Sequence, residues 1–221
     1  MNEAAPAAPL PRRGWWTETY GLDVRSLALF RVSIALLLLG DLFRRSLDLR
    51  VFYTDRGVLP RTTLLSALPN PHHLSLYLAN GSVAFTTALF LAAAVAAAAL
   101  LVGFRTRAAS VVSWLLLLSL HSRNPMVLDG GDALLLTFVF WGMFLPLGAV
   151  FSIDRALDPS PKPAPSRVFS AATVAFFLQV AFLYWFTAAL KTGPEWRTDG
   201  SAVYYALRTP YFVQPFGRLL L

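Results

Sequence analysis

The chain has 221 residues, of which 56% are hydrophobic and 14% charged, with a formal net charge of +7 and no cysteine. An average soluble domain carries about 25% charged residues, so a chain of this length cannot hide so much apolar surface in a soluble fold. The absence of cysteine excludes disulfides, thiolate metal centres and CxxC redox chemistry.

The first 20 residues form an Ala/Pro-rich tail with Trp15 and Trp16 and no central apolar core, unlike a secretory signal. A transmembrane domain is expected over 21–221. Five apolar segments follow in order. Ser26–Phe43 is interrupted by Arg31 and Asp41; Gly81–Phe104 is alanine-rich and uncharged; Ala108–Leu120 is short, at 13 residues. Ala133–Ile153 contains Pro146, expected to kink it. Val168–Leu190 runs 23 residues without charge, enough to cross a hydrocarbon core of roughly 30 Å. A truncated sixth segment is expected near Phe216-Gly217-Arg218-Leu219. Lipid admits only helices or closed barrels, and these runs are too long and continuous for barrel strands. The expected fold class is therefore all-α, a multi-pass transmembrane bundle of about five spans.

The connections carry the polar text. Loop one, 44–80, contains Tyr53-Thr54-Asp55-Arg56-Gly57-Val58-Leu59-Pro60, a turn sequence that could also line a site. Loop three contains Arg123-Asn124-Pro125 and Asp129-Gly130-Gly131-Asp132. Loop five begins at Lys191. If all five segments cross, these loops share one membrane face, which predicts one polar site there. Arg and Lys outside the cores number eight on the amino-terminal side and ten opposite, so charge does not set the orientation.

Lys191 is one of two lysines against 17 arginines and directly follows the fifth segment. Burial can deprotonate a lysine, and a neutral amine is a base. Tyr184 and Thr187 fall near Lys191 on one helical face and could hydrogen-bond it. The competing reading is a terminal lysine that snorkels to the headgroups. Arg31 and Asp41 are intramembrane charges, hence paired or functional by default. They lie roughly 15 Å apart along a helix and do not pair with each other. Arg31 is expected to brace a neighbouring helix, and Asp41 to meet Arg44 or Arg45. Asp132 is expected to cap the fourth segment; the alternative is that Asp132 or Asn124 orients Lys191. His72-His73 lack further ligands at metal spacing, so no metal is expected there. No basic run interleaves with aromatics as a nucleic-acid surface would; the arginines fit a lipid bilayer as partner.

The motifs occur in a recognisable order: Ser26-Leu27-Ala28-Leu29-Phe30-Arg31, Tyr53–Pro60, Arg123-Asn124-Pro125 with Gly131-Asp132, and Leu190-Lys191-Thr192-Gly193-Pro194-Glu195-Trp196. This order resembles the bacterial horizontally transferred transmembrane (HTTM) domain family, which is similar to the membrane part of the vitamin K-dependent γ-glutamyl carboxylases. The resemblance covers about residues 20–215. It implies a lysine base five residues before a tryptophan, which falls on Lys191 and Trp196. It also implies reduced vitamin K or a related quinone as cofactor, with O2 and CO2, and epoxidation or carboxylation at an extracytoplasmic site of the inner membrane. Tyr184, Thr187, Asn124, Asp132, Arg31 and Asp55 would support or line that site. Pro125 stands where the carboxylases have a histidine after the asparagine, and their large extramembrane carboxy-terminal domain has no counterpart, so a peptide substrate is not expected. The alternative is a non-enzymatic lipid- or quinone-binding module, or a subunit that docks a partner. A proton-coupled carrier would need charges in the second, fourth and fifth segments, which have none.

Overall fold

The computed structural model describes residues 14–67, 74–160, 163 and 165–209. The chain divides into two compact units, Met1–Phe176 and Phe177–Leu221. The expected sixth segment and His72-His73 lie outside the described residues.

The first unit opens with a short helix α1 (Trp15–Tyr20) and a two-residue strand β1 (Leu22–Asp23). The long helix α2 (Val24–Leu47) starts where the Asp23 carboxylate accepts the Arg25 N–H, satisfying a donor the helix itself leaves open. Two short helices, α3 (Leu49–Tyr53) and α4 (Arg61–Ala67), fold within loop one. Helix α5 (Val83–Val102) is capped by Ser82 and ends at Gly103, whose φ of 72° is the left-handed conformation that closes a helix. Helix α6 (Thr106–Arg123) follows at once and turns back along α5. Helix α7 (Gly130–Gly142) and the single turn α8 (Ile153–Ala156) complete the bundle. Strand β2 (Arg167–Val168) pairs antiparallel with β1, Leu22 against Val168, and leads into α9 (Ala171–Ala189).

Helix α2 packs on α5 and α7, and α6 lies against both α5 and α7. One core cluster joins Ile34, Ala35 and Leu38 to Ala97, Leu100, Leu117 and Val139. The alanines of α5 make this possible: Ala93, Ala96 and Ala97 are buried, and small side chains let helices approach closely. A second cluster, with Tyr53, Tyr77, Phe90 and Leu120, lies where loop one folds over the helix ends. Large apolar side chains remain exposed around the bundle, among them Leu29, Leu36, Phe43, Leu91 and Val95. Water would penalise such a surface; lipid tails do not.

Among the described residues, three helices are long and apolar enough to cross a membrane: α2, α5 and α9. The third expected segment is longer than its apolar run, because α6 extends through His121 to Arg123. The fourth is shorter. Helix α7 stops at Gly142, before Pro146, which therefore terminates regular structure instead of kinking a longer helix. The protein is a mostly helical chain with membrane-compatible spans.

In the second unit, α9 runs to Ala189 and is followed by Lys191, the short helix α10 (Pro194–Arg197) and α11 (Ala202–Arg208).

Candidate functional site

Loops one and three do converge. Asn124 Nδ2 donates to the Phe52 carbonyl at 3.0 Å, and the Ser75 hydroxyl donates to the Ser119 carbonyl at 2.6 Å. Loop two meets the stretch after α7 at the opposite end of the bundle, where Asp154 accepts from Arg105 N, Thr106 N and the Thr106 hydroxyl at 2.6, 2.8 and 2.7 Å.

At the loop-one end lies a buried ionic network. Asp41 and Arg45 are four residues apart on α2, hence on one face. Arg45 Nε donates to Asp41 Oδ2 at 2.7 Å, Nη1 to the Tyr53 hydroxyl at 2.7 Å, and Nη2 to Asp132 Oδ1 at 2.5 Å. The planar guanidinium fork thus ties α2, α3 and α7 together, which a lysine could not do. Asp129 caps α7, accepting from Gly131 N and Asp132 N, while Asp132 Oδ2 accepts from Asp129 N at 2.9 Å. Asp132 is therefore the third-position partner of a capping box and not the N-cap itself. This reciprocal pair aims its other oxygen at Arg45.

His121, in the last turn of α6, approaches the same carboxylate, with Nε2 at 3.7 Å from Asp132 Oδ1. Burial disfavours its charged form, more than the nearby Asp132 favours it, so the imidazole pKa lies below its usual value. Burial likewise raises the Tyr53 pKa, against the pull of Arg45.

The network opens on a groove between α2 and α7, with a cavity of about 590 Å³. Its walls are Leu36, Leu37, Leu134, Leu135 and Phe138, and one end is polar, with Asp41, Arg44, Asp129 and Asp132. Gly40 sits in the lining, and a Cβ added there would meet nothing within 4 Å. An apolar cleft of a few hundred Å³ with a few polar groups gathered at one end is the usual form of a small-molecule site.

A second polar cluster stands on the same loops. Asp55 accepts from Arg61 N at 3.1 Å and from Arg61 Nε at 2.8 Å. Arg123, fully buried, has its Nη2 at 3.8 Å from Asp55. The Arg61 side chain holds the Asp55 carboxyl below the usual range; burial, which acts the other way, is outweighed. Thr54 and Gly57 form the expected turn, Gly57 N donating to the Thr54 carbonyl.

The structure places the sequence candidates as follows. Asp132 belongs to the network at the groove. Asp55 and Asn124 hold loops one and three in place. Arg31 is 1% exposed and donates to the Leu147 and Phe151 carbonyls at 3.1 and 2.5 Å, bracing the connection after α7. Asp41 does meet Arg44 and Arg45, as expected. In the second unit, Lys191 Nζ lies 4.1 Å over the Trp196 ring. The Thr187 hydroxyl donates to the Leu183 carbonyl at 2.6 Å, and Tyr184 is 70% exposed.

Sequence reasoning named Arg45 only as a partner for Asp41, not as the centre of the network, and did not single out His121. The Asp41/Arg45 spacing was a usable signal. His121 had none, because its partners are 80 residues before it and 11 after it on other helices. Comparison with protein-family models, curated proteins and solved structures finds no match.

Proposed function

We propose that the protein is an integral membrane protein that binds a quinone-type amphiphile in the α2–α7 groove. The observation that carries this reading is the pairing of a roughly 590 Å³ apolar cleft with a hydrogen-bonding polar end. A naphthoquinone carbonyl can accept from the Arg44 guanidinium, the reduced hydroquinone's hydroxyls can donate to the carboxylates, and the isoprenoid tail suits the leucine walls. The resemblance to the HTTM family supports the same ligand class, an inner-membrane location, and an extracytoplasmic face for the loops that carry Asp55 and Asp132.

The enzymatic form of the proposal adds Lys191 as the base that starts quinone-dependent epoxidation or carboxylation. The non-enzymatic form, a quinone-binding module, is favoured by one observation: Lys191 stacks on Trp196, and a ring face attracts an ammonium ion.

The test uses the full chain in nanodiscs with a short-chain naphthoquinone, corrected for partitioning into empty discs. Saturable binding of one molecule per chain is expected. Gly40→Trp, which fills the groove, should abolish it; Leu29→Trp, on an exposed position outside the groove, should not. Binding no greater than that of empty discs would refute the reading. Oxygen-dependent epoxide formation that is lost in Lys191→Ala would establish the enzymatic form, and binding without turnover the module.

A further inference from the structure

Beside the polar end of the groove, three side chains of metal-ligating type come together, two of them, Asp41 and Asp132, in its lining. We propose that Asp41, His121 and Asp132 bind one divalent transition-metal ion, with Arg45 as its competitor for the two carboxylates. The proposal goes beyond quinone binding and does not rest on it; its test needs no quinone.

One ligand atom from each of the three residues lies within 4.8 Å of the other two. His121 Nε2 and Asp132 Oδ1 are 3.7 Å apart. Around an ion with bonds of about 2.1 Å, ligand atoms stand roughly 3.0–3.4 Å apart at adjacent positions. Closing the set therefore takes side-chain adjustments of about 1 Å, not a movement of helices.

An independent observation points to a ligand. His121 is only 5% exposed, and its Nε2 has no hydrogen-bond partner. A buried imidazole nitrogen left unpaired costs free energy that a metal bond would recover. With its proton on Nδ1, His121 would present the Nε2 lone pair beside two carboxylates, an arrangement that favours a cation.

The donor set selects the class of metal. One imidazole with two carboxylates suits zinc, iron, manganese or cobalt, whereas magnesium and calcium prefer all-oxygen shells. Three protein ligands leave positions open. Asp41 and Asp132 both line the groove, so those positions face it, and water or an oxygen donor can complete the shell. The surrounding residues supply orientation: the backbone N–H of Asp129 fixes Asp132 Oδ2, as outer hydrogen bonds fix ligands in known sites.

Arg45 decides the affinity. Its Nε and Nη2 occupy one oxygen of Asp41 and one of Asp132. Arg45 is shared between the two carboxylates, with the exposed Arg44 also near Asp41, and a divalent ion would neutralise both. Arg45 would keep its bond to the Tyr53 hydroxyl when the metal takes the carboxylates.

The full chain, free of affinity tag and in nanodiscs, is stripped with a chelator and titrated with Zn2+ or Co2+. Metal content after desalting, competition with a chromophoric chelator and Co2+ d–d absorption are the readouts. One metal per chain is expected. His121→Ala should lower affinity at least about tenfold, the smallest effect seen when even outer partners of a site are lost. Because His121 Nε2 makes no hydrogen bond, this variant should keep the fold, which circular dichroism checks; Asp41→Asn provides a second loss. Arg45→Gln should raise the affinity. No stoichiometric metal in the wild type, or unchanged affinity in His121→Ala, would overturn the site; affinity at or below wild type in Arg45→Gln with its helical circular dichroism intact, or in Arg45→Lys where Arg45→Gln loses it, would overturn the competition.

Discussion

Replacing Arg45 with Gln should be among the most destabilising single changes in the first unit. The guanidinium bonds three acceptors on three elements, and the Arg45 and Asp132 side chains are each 6% exposed. Removing one partner of a buried pair leaves the other charge uncompensated, at a cost of about 3–5 kcal/mol. Asp132→Asn is milder, because an amide oxygen can still accept the Asp129 N–H and Asp41 still neutralises Arg45. Losing one charge-assisted hydrogen bond predicts about 1.5–3 kcal/mol. The two changes share a bond, so the double variant should fall short of their sum by about 1–3 kcal/mol. Unfolding by SDS titration in mixed micelles, without added metal, measures all three variants against wild type. A loss in Arg45→Gln below about 1 kcal/mol, or strict additivity, would refute the view that this network holds α2, α3 and α7 together.

Three further outcomes are expected. Asp154→Asn should weaken the start of α6 by about 1–2 kcal/mol, the usual cost of a lost cap, seen as a lower unfolding midpoint. Burial opposes ionisation of Asp154, but the hydrogen bonds from Thr106 and Arg105 outweigh it and hold its pKa below the usual value. Its stabilising effect is therefore fully present above an unfolded carboxylate pKa of about 3.9 and is lost as pH falls through the lower folded value; unfolding midpoints measured at pH 6 and pH 3 should differ less in the Asn variant. Gly57→Ala should destabilise loop one by at least about 1 kcal/mol, because its Cβ would stand 2.0 Å from the Val51 carbonyl oxygen; an unchanged unfolding midpoint would contradict the tight turn. Gly40→Trp should leave the unfolding midpoint at or above wild type, since glycine is a poor helix former, while closing the groove to quinone.

The helical class was legible because lipid leaves few alternatives. Uncharged runs such as 168–190 had to become helices, and they did. Intramembrane charge was an equally sound guide: Arg31 and Asp41 both proved to be paired. Helix ends were less legible. The Asp129-Gly130-Gly131-Asp132 text signalled a cap, but the choice between two aspartates depended on backbone geometry, with Asp129 extended and Asp132 already helical. The fourth segment was read too long because apolar composition continues past Gly142, while Pro146 cannot continue the hydrogen-bond ladder.

The sequence by itself determined that this chain is a helical, membrane-compatible protein with its polar residues concentrated between the apolar segments. Composition and period suffice for that, since every backbone group must be satisfied within its own helix. Only the tertiary structure decided which polar residues meet. Asp41 and Arg45 share a local i,i+4 spacing, but His121 and Asp132 stand on two other helices up to 91 positions away, and no local pattern encodes their contact with that pair. It follows from the packing of α2 and α6 against α7, through the small alanines of α5 and the fold of loop one. The groove has the same origin: Gly40 and its leucine neighbours form a cleft because α7 lies beside α2 and leaves that space open.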